Sequence, residues 1–389
     1  MTKPAPHDRY LEETDDHDTL LSAKRFVRIF RELGDPFAVR RIPVRSSGIH
    51  CLRECPRKFL FRYRCGLRLK GERAFALDVG TVFHNIMAHL HYVGPPHDID
   101  TALAATSTWV QEKSVGFQAL ADDTGLMPDG TPIEKLIQET ERSYSLARVM
   151  AQVSVDYLFG GVFKGWKPFL IEQPIEVKLD EITAPVRCKP DIVLQSEENP
   201  ADLMLVDHKT CSGNSAQRAA VVLYETQPAL ERLVAEAAFP EHTVKFFVHN
   251  IVVKTGLRYP AKKYPTWEDY LTAVRDDYEA RLTKDPDNPP FLQALTATIG
   301  AILPRELFTN LTEASAACQG NPDPSRYYRN SSACFGRFGR SPCPYLELCR
   351  SGAHLWPEIL ERRFTTSFRE DDEEADTLLA APAGKETAQ

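Results

Sequence analysis

Three charged residues at the ends of two apolar segments have the types and spacing that phosphodiester hydrolysis requires. Asp191 begins one apolar segment, and Asp207 and Lys209 end the next with one residue between them. Because side chains alternate between the faces of a strand, Asp207 and Lys209 project to one side while His208 points away. Carboxylates on adjacent strands can share Mg²⁺, and the lysine can position or deprotonate a water and stabilise developing negative charge.

An acid-x-lysine pattern alone is common at strand ends, where the charges simply face water, so the surrounding residues decide its meaning. His84 precedes these segments, at the end of a Gly-Thr-Val-Phe-His stretch, and Gln227 lies on the helix predicted after them. A lone histidine on an apolar helix face is more often a hydrogen-bonded core residue than a ligand, and His89 and His91 are alternatives. The position of His84, just after Gly-Thr and before the strands, favours it over the other two.

This ordered set resembles the RecB-like branch of the PD-(D/E)XK nuclease superfamily over about residues 45–255 and a C-terminal piece. The resemblance implies a restriction-endonuclease-like core with Mg²⁺ or Mn²⁺ as its cofactor. It makes His84, Asp191 and Asp207 metal ligands, with the carbonyl of His208 as a further ligand. Lys209 would then serve the attacking water and the scissile phosphate.

Gln227 resembles the glutamine of this family's Q-x-x-x-Y helix, which helps to hold the substrate end, so it joins the catalytic set. The tyrosine is missing, because Glu231 stands four residues after Gln227. Cys188 replaces the small residue that usually lies three positions before the first acid. Glu172 matches the acid that often opens the first strand in this branch, although a surface charge at a strand edge explains Glu172 equally well.

Cys334, Cys343 and Cys349 lie within sixteen residues near the C-terminus, separated by glycine and proline turns. Such thiols suit a soft metal or a cluster that the backbone wraps closely. A fourth thiol is needed, and Cys55 begins a Cys-Pro-Arg-Lys-Phe segment that resembles the first-ligand segment of AddB-like iron–sulfur nucleases. The resemblance implies a 4Fe-4S cluster held by these four cysteines, which pins the chain ends around the catalytic core.

The cysteine pattern leaves two choices open. Eight residues separate Cys334 from Cys343 where the family commonly has two, and Cys51 or Cys318 can substitute for a predicted ligand. A structural zinc ion would use the same four thiolates. The odd count of nine cysteines, in a reducing compartment, argues against a disulfide framework.

Affinity for nucleic acid must come from a local surface, because the whole chain carries a net charge of -7. Eight basic and two acidic residues lie between Cys51 and Arg73, with aromatic residues among them. A DNA-binding surface and a solvated amphipathic helix explain this segment equally well. The DNA-binding hypothesis assigns contacts to Arg53, Arg57, Lys58 and Arg62.

The hydrophobic pattern predicts an α/β fold with a mixed central β-sheet flanked by helices and with helical insertions, to which the resemblance adds a C-terminal iron–sulfur region. Strands are predicted over 169–179, 186–195, 202–209 and 244–254, and helices over 74–92, 131–159 and 219–238. Short turns favour antiparallel pairing of the first three strands, and the helix crossover favours a parallel fourth strand.

Composition and pattern divide the chain into seven segments. These are a flexible N-terminus (1–20), an N-terminal helical part with Cys55 and His84 (21–93), a helical insertion (94–165), the nuclease core sheet (166–255), a helical region (256–330), the cysteine cluster region (331–365) and a disordered acidic tail (366–389).

Together these features predict a cytoplasmic deoxyribonuclease dependent on Mg²⁺ or Mn²⁺, an exonuclease on DNA ends or single strands in recombination, repair or phage DNA processing. No apolar run approaches the roughly 20 residues that a membrane span requires. No P-loop sequence occurs, so unwinding would need a separate helicase or recombinase partner. The alternative is a weakly active or inactive nuclease fold that binds DNA and holds a structural zinc or iron–sulfur centre.

Overall fold

The structure is a computed structural model, and its contacts divide the chain into two compact units. Unit 1 combines Met1–Glu72, Lys178–Pro185 and Thr309–Gln389, and unit 2 combines Arg73–Val177 and Val186–Phe308. The structure describes residues 41–69, 79–93, 98–120, 125–126, 132–211, 226–257, 259, 262–284, 292–297, 304–319, 330, 334, 343–351 and 355–366. The predicted flexible N-terminus and nearly all of the predicted acidic tail lie outside these residues.

The helices and strands below are those of the described residues. The helices are α1 (Ser46–Glu54), α2 (Pro56–Phe59), α3 (Val79–Val93), α4 (Ile99–Leu120), α5 (Ile133–Tyr157), α6 (Thr226–Ala238), α7 (Trp267–Lys284), α8 (Pro304–Gln319), α9 (Leu346–Arg350) and α10 (Trp356–Arg363). The strands are β1 (Leu67–Leu69), β2 (Trp166–Ile171), β3 (Ile175–Val177), β4 (Val186–Cys188), β5 (Ile192–Ser196), β6 (Asp202–Cys211), β7 (Thr243–Val253), β8 (Leu292–Ala297) and β9 (Phe364–Thr366).

Unit 2 contains a five-stranded mixed sheet in the order β2-β5-β6-β7-β8. β5 is antiparallel to β2 and β6, whereas β6 and β7 are parallel and β8 is antiparallel to β7. The predicted α/β class with a mixed central sheet is therefore confirmed, and so is the parallel strand after the helix crossover. The edge strand β8 lies within 256–330, which sequence reasoning had treated as helical.

Two of the predicted strands are each divided in two, and the break in each has a local cause. The segment 169–179 separates into β2 and β3 at Glu172, whose φ of 50° lies in the left-handed region that breaks a strand. The segment 186–195 separates into β4 and β5 around Pro190, which has no backbone N–H to donate to a ladder. β3 and β4 then pair antiparallel in a small sheet of their own.

Both faces of the central sheet are buried, because its middle strands are continuously apolar. Leu194, Met204 and Val206 pack into one core with α3, α4 and α5. Of these helices, α3 belongs to the predicted N-terminal helical part, and α4 and α5 form the predicted insertion. Val193 and Leu205 face the opposite side, where they pack with Ala235 of α6. Among the described helices, none is both long enough and apolar enough to cross a membrane.

Unit 1 joins segments from the two ends of the sequence. β1 pairs antiparallel with β9, and the hydroxyl of Tyr345 donates a hydrogen bond of 2.7 Å to the carbonyl of Leu67, 278 residues away. The buried guanidinium of Arg64 donates to the carbonyl of Ala317 on α8. The N-terminal segment and the cysteine-rich C-terminal region are therefore one folded unit.

Ser315 in unit 1 generates a stability prediction. Its buried hydroxyl accepts a 2.7 Å hydrogen bond from the backbone N–H of Ala184. Ser315→Ala leaves that buried N–H without an acceptor, so the free energy of unfolding should fall by about 1–3 kcal/mol. The measurement is denaturant unfolding of both proteins.

Ser351→Ala is the matched control, since the Ser351 hydroxyl donates only to the carbonyl of Glu347 one helical turn earlier. Its loss should be about 0.5 kcal/mol or less. Equal losses in the two variants would show that Ser315 does not join the segments of unit 1.

Candidate metal centre

Three polar side chains converge where the strands of unit 2 are interrupted. His84 lies on α3, Glu172 follows β2 directly and Asp191 precedes β5 directly. Nδ1 of His84 is 3.3 Å from Oδ2 of Asp191, and one ligand atom from each of the three residues lies within 4.8 Å of the others. In the described part of the chain this is the one group of three or more such ligands with that spacing.

The group contains two predicted ligands, His84 and Asp191, and one acid that sequence reasoning left undecided, Glu172. Glu172 is the one described non-glycine residue with a positive φ. Such a conformation costs on the order of 1–3 kcal/mol and persists where the surrounding contacts fix it. Here the backbone N–H of Glu172 donates to the Asp191 carbonyl at 2.8 Å, and its carboxylate pairs with Lys189 at 3.0 Å.

The electrostatics of this group favour bound positive charge. Burial acts to lower the pKa of His84, but Asp191 and Glu172 outweigh it and raise that pKa to about 9. Burial acts to raise the pKa of Asp191, but the positive charge of His84 outweighs it and holds that pKa well below its ordinary value. The carboxylate also accepts a 2.6 Å hydrogen bond from the backbone N–H of His208. The donor set of two carboxylates and one imidazole thus fits a hard divalent cation.

Asp207 is buried, and its carboxylate contacts three side chains. Its Oδ1 accepts hydrogen bonds from Lys209 Nζ at 2.5 Å and from Gln227 Nε2 at 3.0 Å. Its Oδ2 lies 2.8 Å from Nδ1 of His249 on β7. Asp207 is not one of the three residues whose ligand atoms lie within 4.8 Å of one another, so its role as a metal ligand stays a prediction.

Lys209 couples this carboxylate to the rest of the site. Burial acts to lower the pKa of Lys209, but the carboxylates of Asp207 and Asp191 outweigh it and raise that pKa. The side chain is therefore an ammonium group with hydrogen-bond donors directed at the acids. This is the charge that the predicted role beside a phosphate requires.

Gln227 lies in the site, but its contacts differ from those expected of a substrate-holding residue. Its Nε2 donates to Asp207 and also to Oε1 of Glu231 at 2.9 Å. Both amide protons are thus directed at carboxylates. Burial, followed by repulsion from Asp207, raises the pKa of Glu231 to about 8. Glu231 therefore occupies the missing tyrosine's position as a buried partner of Gln227, and substrate binding by Gln227 stays a prediction.

His208 points away from Asp207 and Lys209, as the strand alternation predicted. Its ring lies among residues of α3, 6.0 Å from the ring of His84, and its Nδ1 is 2.7 Å from the side-chain nitrogen of Asn250. Burial lowers the pKa of His208 to about 4, so the imidazole is neutral. Its backbone N–H holds Asp191, while metal binding by its carbonyl stays a prediction.

The four predicted cluster cysteines lie near one another in unit 1. The backbone N–H of Cys343 donates to the carbonyl of Cys334 at 2.9 Å. Burial raises the pKa of Cys349 to about 12, and Arg57 opposes that rise. Three further thiols raise it: those of Cys343, Cys55 and Cys334. No three of these four sulfur atoms lie within 4.8 Å of one another.

The other cysteines differ in position. Burial raises the pKa of the Cys51 thiol to about 12, and the nearby thiol of Cys55 adds to that rise. The thiol of Cys318 lies 3.8 Å from the carbonyl of Pro43, with which it forms a weak hydrogen bond. Cys51 is therefore the nearer alternative to Cys55 as the early ligand.

The predicted DNA-binding residues are only partly available at the surface. Arg53 is exposed, whereas Arg57 and Arg62 are half-buried. Lys58 is also half-buried and pairs with Glu54 at 2.8 Å. Their role in binding DNA stays a prediction.

A mixed sheet with acids at its strand interruptions and an acid-x-lysine pair on the central strand brings together the types of group that metal-assisted phosphodiester hydrolysis uses. The family model described as the PD-(D/E)XK nuclease superfamily matches residues 46–350. The chain belongs to this superfamily, whose members are typically metal-dependent nucleases. A search of the curated proteins finds no match.

The arrangement of His84, Glu172 and Asp191 predicts that the protein binds a divalent metal ion. Mn²⁺ should raise the melting temperature of the protein, since a ligand at 100 times its dissociation constant stabilises the folded state by about 2.7 kcal/mol. Asp191→Asn should lose most of this effect, although asparagine can still accept the hydrogen bond from His208. Melting curves with and without Mn²⁺ measure the difference.

Asp202→Asn is the control, because Asp202 begins β6 and pairs only loosely with Lys245, at 3.8 Å. It should keep the full Mn²⁺ effect. A full effect in Asp191→Asn as well would remove Asp191 from the metal site.

Proposed function

We propose that the protein is a Mg²⁺- or Mn²⁺-dependent deoxyribonuclease of the RecB-like branch. It would act as an exonuclease on DNA ends or single strands in recombination, repair or phage DNA processing. The observation that carries the proposal is the convergence of His84, Glu172 and Asp191 beside the buried Asp207 and the half-buried Lys209. A surface array of charges would not explain acids that are partly or fully buried and compensated by a histidine and a lysine.

His84, Asp191 and Glu172 would hold the cation, with Asp207 approaching from the adjacent strand. A divalent ion in such a site polarises a phosphate oxygen and lowers the pKa of a water. The protein's part is to hold the donors in place. The interrupted strands fix Glu172 and Asp191 through the 2.8 Å hydrogen bond between their backbones.

Lys209 would donate hydrogen bonds to the attacking water and to the scissile phosphate. Its ammonium group already donates to Asp207, and the nearby charge of Asp191 helps to keep it protonated by raising its pKa. When a phosphodiester enters, negative charge develops on the non-bridging oxygens, and a positioned ammonium stabilises it without rearrangement. Asp207 restrains Lys209 so that this donor has a defined direction.

Lys209→Ala is the direct test of this role. Cleavage of end-labelled DNA should fall by about 100-fold or more, because a donor that stabilises developing charge is lost. Binding of Mn²⁺ should persist, since the residues proposed to hold the ion are unchanged.

The proposed metal ligands are tested in the same assay. Asp191→Ala and Asp207→Ala should abolish cleavage while DNA binding persists. His84→Ala should have a smaller effect because a neutral imidazole holds Mg²⁺ less strongly than a carboxylate.

Lys245→Ala serves as the control, as this exposed lysine pairs only with Asp202 at the start of β6. It should cleave like the wild type. Undiminished cleavage by Lys209→Ala would remove Lys209 from the reaction, and wild-type protein that binds DNA without metal-dependent cleavage would favour the DNA-binding alternative.

We also propose that Cys55, Cys334, Cys343 and Cys349 hold a 4Fe-4S cluster. The four thiols lie near one another in unit 1, and the resemblance of the Cys55 segment to the first-ligand segment of iron–sulfur nucleases favours a cluster over a single zinc ion. Burial raises the pKa values of Cys349 and Cys343, and Arg57 and Lys58 respectively oppose that rise, so these two cations would offset thiolate charge.

Iron and acid-labile sulfide in anaerobically purified serine variants test the cluster. Replacement of any one of the four cysteines should reduce both contents and lower the stability of unit 1, because ligand binding is coupled to folding. Cys65→Ala, a buried cysteine of the same unit, should keep full iron. Full iron in Cys55→Ser would reassign the early ligand to Cys51 or Cys318, and zinc without iron in the wild type would overturn the cluster.

The basic segment around Arg53, Arg57, Lys58 and Arg62 would bind DNA in this proposal. Arg57 lies near Cys349 and Lys58 near Cys343, so the cluster would help to hold this basic segment in place. Loss of the cluster should therefore weaken DNA binding, although no cysteine would contact DNA. Because the chain contains no P-loop sequence, duplex unwinding would come from a separate helicase or recombinase.

A further inference from the structure

His249 is a buried polar residue in an apolar strand, directly beside Asp207. β6 and β7 are parallel, and their register pairs Asp207 with His249. Both side chains are 1% exposed, and Nδ1 of His249 lies 2.8 Å from Oδ2 of Asp207. The positions around His249 on β7 carry buried apolar residues such as Val248 and Ile251.

The contact is close, but its two atoms are not aligned as an N–H···O hydrogen bond. Among the described residues, neither ring nitrogen of His249 has an aligned hydrogen-bond partner, and the same holds for Oδ2 of Asp207. A buried polar group without a hydrogen-bond partner lowers the free energy of unfolding by about 1–3 kcal/mol. An apolar side chain would pack at this position without that cost, so packing alone does not account for the histidine.

The two oxygens of Asp207 have different surroundings. Oδ1 already accepts from Lys209 and Gln227, whereas Oδ2 contacts only the His249 ring. A partial rotation of the carboxylate about its Cβ–Cγ bond would move Oδ1 away from both donors and Oδ2 away from its present position. The imidazole stands where it restrains Oδ2 against that rotation.

We propose that His249 is a positioning residue that holds the carboxylate of Asp207 in the orientation needed for a divalent cation. The inference rests on the proposed function, since it takes Asp207 as part of the metal site. Carboxylates that bind metals are themselves held by neighbouring groups, and loss of such a partner typically weakens metal binding by about 10- to 100-fold. In this chain the partner would come from the adjacent parallel strand.

Two substitutions whose side chains have the same number of non-hydrogen atoms and the same branching separate positioning from packing. His249→Leu removes every polar atom, whereas His249→Asn keeps a side-chain N–H that can reach Oδ2 of Asp207. The dissociation constant for Mn²⁺ is measured by electron paramagnetic resonance, and folding is measured by thermal melting. Mn²⁺ binding should weaken about 10-fold or more in His249→Leu, and His249→Asn should recover most of the affinity.

Stability should follow the opposite order, because leucine suits a buried strand position better than asparagine does. A packing role therefore predicts that both properties favour leucine, and positioning predicts that they diverge. His242→Asn is the control, since His242 precedes β7 and its Nε2 lies 3.2 Å from the side-chain nitrogen of Gln195, away from Asp207. It should leave Mn²⁺ binding unchanged.

Wild-type affinity in His249→Leu overturns the inference, and so does equal weakening in the leucine and asparagine variants. If one variant does not fold, the other is compared with His242→Asn and must show the predicted affinity. Wild-type protein that binds Mn²⁺ but cleaves no DNA overturns the proposed nuclease activity, while the affinity ratios still decide the role of His249. Wild-type protein that binds no Mn²⁺ overturns both.

Discussion

The burial of several carboxylates close together is the constraint on which the rest of unit 2 depends. An isolated carboxylate in an apolar interior costs far more than a folded domain can supply, so each acid must have a positive or hydrogen-bonding partner. Asp191 has His84 and a backbone N–H, Asp207 has Lys209 and Gln227, and Glu172 has Lys189. The site exists because the fold brings these partners from separate elements to one place.

The backbone brings the acids together through the interruptions of two strands, one after β2 and one before β5. A regular strand would alternate its side chains between the two faces and separate Glu172 from His84 on α3. The left-handed residue at the end of β2 and the proline before β5 release both segments from that alternation at the same level of the sheet. The strained backbone at Glu172 therefore lies at a residue of the candidate metal site, and such strain is common at sites of this kind.

Sequence reasoning predicted the features that depend on local pattern. It identified β6 from its apolar run, the face shared by Asp207 and Lys209 from alternation, and the parallel strand β7 from the helix between them. The division of the two earlier strands was not predicted, because the hydrophobic pattern of a segment does not reveal that one of its residues adopts a positive φ. Sequence reasoning left Glu172 undecided for the same reason, although Pro190 was a signal that the ladder would break before Asp191.

The residues that pattern could not identify are those whose partners lie far away in sequence. His249 sits among buried apolar neighbours, and only the parallel register places it against Asp207, 42 positions earlier on another strand. Glu231 was recognised as a departure from the family motif, but its pairing with Gln227 becomes meaningful only once α6 is packed on the sheet. The acid accepts a hydrogen bond from the glutamine, so the departure changes what Gln227 contacts and leaves it beside Asp207.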